Sequence, residues 1–191
     1  MDNIENTNEK SIGKFTKKFI VNFIIAVILI GIVITIINEV LSKILPTQIQ
    51  AIVNFLISIV GLWKITSSTI ETSLKEVDIT KDDIKKVLKN IYIFMSILII
   101  LNIIYIYRQF HITVSIFSGL ENIMMVNLIT SIIAIIIQYI IIIMFCKSKL
   151  EQKILGKKIN TTYFIVLIIV GVIILASGIF INRVIISNEL M

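Results

Sequence analysis

From Phe19 to Ile37 the chain reads FIVNFIIAVILIGIVITII, without a single charged side chain. That length meets the roughly 20 apolar residues an α-helix needs to cross a hydrocarbon core. Lipid offers no hydrogen bonds, so a backbone immersed in it must pair with itself, in helices or in a closed barrel. Barrel strands alternate apolar and polar residues, and this run does not. Comparable runs recur along the chain, which is 57% hydrophobic, 16% charged and has a mean hydropathy of +1.01. One proline and seven glycines leave little material for a turn-rich β fold. The sequence therefore predicts an all-α, polytopic membrane protein.

The number of spans follows from the polar stretches between the runs. The longest, KITSSTIETSLKEVDITKDDIKKVLKN from Lys64 to Asn90, carries six lysines among acids. Five helices are expected, at about 19–41, 49–66, 91–107, 123–146 and 163–181, with the N-terminus inside and the C-terminus outside. Residues 1–18 then form a cytoplasmic arm, and 19–191 a single transmembrane domain with cytoplasmic loops at 67–90 and 147–160. This arrangement puts fifteen of the eighteen basic residues inside, leaving Lys43, Arg108 and Arg183 outside. Dropping the second, more polar span would move the central lysines to the wrong face, against the positive-inside rule. The first apolar run is too long for a secretory signal, and no small-x-small cleavage site follows it.

Local signals add detail. Thr80 with Asp83 resembles a capping box, and Ile84, Val87, Leu88 and Ile91 keep a helical period. An amphipathic cytoplasmic helix is therefore expected to begin near Lys81 and to lead without a break into the third span. Tyr105, Tyr107 and Phe110 form an aromatic girdle. His111–Phe117 alternates as a short strand would, and Ser118 with Glu121 marks the start of the fourth helix. Gly31 with Thr35 marks a face where another helix can approach closely, and Gly171 and Gly178 lie seven residues apart on nearly the same face of the fifth span.

Catalytic material is sparse. His111 is the lone histidine and Cys146 the lone cysteine, which excludes a disulfide within the chain and any His-pair metal site. No P-loop or GxGxxG occurs. The expectation is a protein that is not an enzyme and has no cofactor, metal or nucleic-acid partner. Polar residues do recur in the outer half of every span: Glu39, Asn54, Asn102, Asn127, Ser131 and Ser177. At 1.5 Å per residue, Asn54 and Asn102 fall about 4–5 Å outside the midplane, with Gln138 slightly inside it. Such a band is either hydrogen-bond glue between helices or a wet site, and no acid or base lies at depth to relay protons. Lys81, Lys85, Lys86 and Lys89 form a candidate cytoplasmic docking surface. The favoured reading is an accessory, regulatory or immunity-type protein of a bacterial cell membrane. Its partners are the lipid bilayer and other membrane proteins or copies of itself. The alternative is a small transporter or channel that uses the outer band.

Overall fold

The computed structural model describes residues 2–41, 43–45, 47–77, 79–116 and 121–189, with side chains for all of these but 2–9, 47, 48, 116, 188 and 189. Five helices account for nearly all of them: α1 Asp2–Leu41, α2 Thr47–Glu76, α3 Ile84–Ile116, α4 Glu121–Leu155 and α5 Thr162–Glu189. Each is long and apolar enough to cross a membrane, the mark of a multi-pass membrane protein. α1 and α4 sit diagonally in a ring of four, each packing against both α2 and α3. α5 lies outside that ring, against α2 and α4.

The helices are longer than the bilayer requires. α1, with 40 residues, extends about 60 Å, twice a hydrocarbon core of about 30 Å. The surplus lies at the lysine-rich end, and there the chain packs most densely. Ile12, Phe15, Phe19 and Phe23 of α1 recur every three or four residues and are buried. So do Thr66, Ile70, Ser73 and Val77 along and just past α2, Ile84, Val87, Ile91 and Met95 of α3, and Ile142, Cys146 and Leu150 of α4. Each set is one stripe of a 3.6-residue helix, and the four stripes meet inside the ring. Phe15, Phe19 and Phe23 stack with ring centroids 6.4 and 5.7 Å apart, and Phe94 meets Phe23 edge-on at 5.9 Å.

This core corrects the expected boundaries. The arm 1–18 is helical from Asp2 onward. The expected loop 67–90 is mostly helix, because α2 runs to Glu76 and α3 begins at Ile84. The expected loop 147–160 likewise begins with the last two turns of α4, through Leu155. Charged residues lower the hydropathy of these segments, but their buried stripes hold them helical. α4 stops where Gly156 adopts φ 68°, its N–H donating to the Gln152 carbonyl at 3.1 Å in an αL cap. The strand expected at 111–117 is helix through Ile116, since α3 continues there and satisfies its backbone locally. Pro46, Ser118 and Gly119, assigned to turns and a cap, lie outside the described residues.

Two of the marked glycines do bring helices together. A Cβ on Gly171 would lie 2.3 Å from the Phe55 ring, and one on Gly178 2.6 Å from Thr130, so both seat α5 on its neighbours. Gly31 is different: nothing stands within 4 Å of its Cβ position, and α1 meets α2 instead at Gly61, opposite Ile30.

Phe19→Ala should therefore destabilise the protein by about 3–5 kcal/mol, the range for a large aromatic removed from a close-packed core. Ile28→Ala, on the bare side of α1 at 58% exposure, should change stability by less than about 0.5 kcal/mol. Reversible denaturant unfolding in micelles measures both. Equal effects at the two positions would deny the lysine-end core its role.

Candidate functional site

The intramembrane polar residues do not form one band. Two cross-helix hydrogen bonds define two groups among them. The first group sits within the four-helix ring, where Asn102 Nδ2 donates to Tyr139 Oη at 3.0 Å and to the Leu98 carbonyl at 2.9 Å. Beside it lies a cavity of about 220 Å³ to which Ser58, Asn102, Gln138 and Tyr139 contribute the polar lining, among side chains such as Phe23 and Leu62. The second group lies toward the other end, between α4 and α5. There Asn182 Nδ2 donates to Asn127 Oδ1 at 2.7 Å, and Asn182 itself is only 8% exposed. Asn127 and Ser131 also line a shallow groove with Gln109 and Thr113 of α3.

Ser177 donates to its own helix, at the Ile173 carbonyl 2.8 Å away. Glu39 is exposed on α1. Asn54 points a buried Oδ1 into packing that offers it no hydrogen bond. Depth along the sequence sets only the level of a residue on its helix; rotation about each helix axis decides which residues meet.

Sequence reasoning missed the partners. Tyr139 and Asn182 complete the two cross-helix bonds, yet Tyr139 lies inside the fourth apolar run and Asn182 just beyond the expected fifth span, 163–181. Helix α5 in fact continues to Glu189. The signal for Tyr139 was available in its neighbour Gln138, a polar residue inside a long isoleucine run. The two groups can bond neutral polar atoms and hold helices in register. Among the described residues, no three His, Cys, Asp or Glu side chains come together as a metal site would require. Cys146 is fully buried in the lysine-end core. His111 is exposed, its ring edge-on to Tyr107 at 4.5 Å and near Phe110 at 5.7 Å.

The lysine-rich end is built more firmly. Lys81, Lys85, Lys86 and Lys89 are all exposed, while Ile84, Val87, Leu88 and Ile91 between them are buried. The start of this segment is fixed by Asp83, which is 5% exposed: Thr80 donates to its Oδ2 from both Oγ1 (2.6 Å) and the backbone N–H (3.1 Å). Only one half of a capping box forms, because the hydroxyl is spent on the carboxylate. Asn90 Nδ2 donates to Thr16 Oγ1 at 3.3 Å, joining α3 to α1. Lys18 pairs with Glu76, joining α1 to the end of α2. Beyond the apolar part of α2, Glu71 accepts from Lys149 at 3.0 Å and Lys153 at 3.2 Å, joining α2 to α4.

Hydrogen bonds from Lys149 and then Lys153 hold the Glu71 carboxyl below the usual carboxylate range. Comparisons of the chain with protein-family models, with curated proteins and with solved structures return no match.

Two outcomes follow. Because the Glu71 carboxyl is depressed, its stabilisation is present at neutral pH and is lost as the pH falls below the ordinary carboxylate value. Glu71→Gln should therefore lower the melting temperature slightly at pH 7 and leave it unchanged well below pH 4, where both chains are neutral at this position. A deficit that persists in acid would assign the effect to packing. For the amide groups, a double-mutant cycle of Asn102→Leu and Tyr139→Phe should give a coupling of about 0.6–1.7 kcal/mol in unfolding experiments, the size of an intramembrane hydrogen bond. Strict additivity would remove the bond.

Proposed function

We propose that the protein is a non-enzymatic component of a bacterial cell membrane that works by lateral contact with another membrane protein, its N-terminus inside and its C-terminus outside. One observation carries this reading. α1 is held at its lysine end by three fully buried phenylalanines and is bare along one side of the rest of its length. Ile24, Ile28, Ile32, Val33, Ile36 and Val40 are all exposed, and so is Gly31. A helix fixed at one end and uncovered along the other presents a long, defined face to a partner within the bilayer. Its small residue admits a close approach, because helices in lipid associate by packing and not by hydrophobic expulsion. Two of the amides that a transport path would use, Asn102 and Asn127, are engaged in the Asn102–Tyr139 and Asn127–Asn182 bonds. The inside location of the lysine end follows from the charge asymmetry, and the small size and compact connections suit a bacterial protein.

The second reading, a small transporter or channel, draws on the cavity beside Asn102, whose polar lining lies within the four-helix ring.

A photo-crosslinking residue at Ile32 should capture a discrete protein partner in membranes of the native host, while the same residue at Ile165 on the exposed side of α5 should not. Lipid adducts alone at Ile32 would end the proposal. For the orientation, single cysteines at Lys43 and Thr113 in a Cys146→Ser background should react with an impermeant thiol reagent in intact cells. Cysteines at Asp82 and Lys158 should not. Reagent access to a cysteine at Asn102 from outside would favour the transport reading instead.

A further inference from the structure

One exposed face of α3 carries, in order along the helix, the parts a phospholipid requires. An open groove of about 430 Å³ is lined by Lys85 and Lys89, then Tyr92 and Ser96, then Ile93, Ile97 and Ile100. At 100° per residue these seven positions fall within less than half of the helix circumference, so the gradient from charge to hydroxyl to hydrocarbon runs down a single side. Its length is informative. From Lys85 to Ile100 the helix rises about 22 Å, which is half of a bilayer of 40–45 Å including its headgroups. The face therefore spans one leaflet, charged at the headgroup end and apolar toward the midplane.

The charges fix which lipid fits. Lys85 and Lys89 stand one helical turn apart, and Lys81 and Lys86 are exposed next to them. Of the two acids at the helix start, Asp83 is turned inward to Thr80, leaving Asp82 against four lysines. No acid lines the groove itself. The backbone beneath is rigid, since the opposite side of the same turns, Val87, Ile91 and Met95, is fully buried.

We propose that this face seats one anionic glycerophospholipid of the lysine-side leaflet. Its phosphate lies between the Lys85 and Lys89 ammonium groups, its glycerol region at Tyr92 and Ser96, and one acyl chain along Ile93, Ile97 and Ile100. The seat gives the candidate docking surface a definite occupant, and it does not depend on the partner proposed for α1. A zwitterionic lipid of the same chain length supplies the hydrocarbon without the net charge, so the two lipids must differ in affinity through the lysines.

Native mass spectrometry of the intact protein, titrated with phosphatidylglycerol or phosphatidylcholine of identical chains, tests this directly. The first phosphatidylglycerol should bind about 30-fold more tightly than phosphatidylcholine, the factor expected of two lysines near an anionic lipid. Lys85→Gln/Lys89→Gln should bring the two lipids level. Lys147→Gln/Lys158→Gln, which removes two exposed lysines from the α4–α5 end, should leave the preference intact. Both pairs are exposed, and circular dichroism checks that each variant keeps its helices. Equal loss in the two double variants would reduce the effect to net charge and overturn the seat, as would a wild-type protein that does not distinguish the lipids. A photo-crosslinker at Ile97 should yield lipid adducts; a protein adduct there would overturn the seat in favour of a helical partner.

Discussion

The stacked phenylalanines of α1 at the lysine-rich end are the contact on which the rest of this bundle depends. Inside a bilayer, helices gain nothing from hiding apolar side chains, since lipid tails receive them as well as another helix does. The hydrophobic effect acts where water competes for the surface. Phe15 and Phe19 sit among Lys14, Lys17 and Lys18, and the stripes they meet on α2, α3 and α4 are likewise flanked by charge. Burial there favours association, and it fixes the rotation of the four helices about their axes. Ion pairs of Lys18 with Glu76, and of Glu71 with Lys149 and Lys153, then ring the same core. Being partly exposed, they add modest energy and mainly set register.

Away from that end the means of attachment change. α5 has no part in the four-helix ring and is held by shape and by one amide pair. Gly171 receives Phe55, Gly178 receives Thr130, and Asn182 reaches Asn127. These are the contacts that work in lipid: backbone brought close, and polar atoms paired. α1 makes few such contacts beyond its clamp, so one face of the bundle stays open while the opposite side is closed by α5.

What the sequence disclosed depended on whether one residue or a periodic set carried the information. Five helices were legible because each apolar run is about as long as the bilayer is thick. The helical fate of residues 67–76 was written in Thr66, Ile70, Ser73 and Val77. It went unread because Lys75, Glu71 and Glu76 on the other faces dominate an average over the window. The same averaging concealed the last turns of α4, although Gly156 after Leu155 is an ordinary helix-stop signal. The Thr80–Asp83 contact was legible, since it lies within four residues of chain, although α3 itself begins at Ile84 and not near Lys81. The polar band was half legible. Heights come from counting residues, but the pairing of Asn102 with Tyr139 joins positions 37 apart in sequence, and it depends on how α3 and α4 turn toward each other. The strand expected at 111–117 failed because alternation over so few residues cannot outweigh the continuity of an established helix.

The order in which the helices touch has a consequence for how the chain is made. α2 leaves the ribosome with α1 already present as a neighbour, α3 also meets α1, α4 meets α2 and α3, and α5 meets α2 and α4. No segment has to wait in the membrane for a later one before it finds any companion, and the ring closes when α4 arrives. The two amides are the exceptions. Asn102 enters with only its own Leu98 carbonyl until Tyr139 is synthesised, and Asn127 meets its amide partner when α5 brings Asn182. Insertion is thus continuous in its apolar contacts and deferred in these two polar ones, each of which waits for the helix that follows its own.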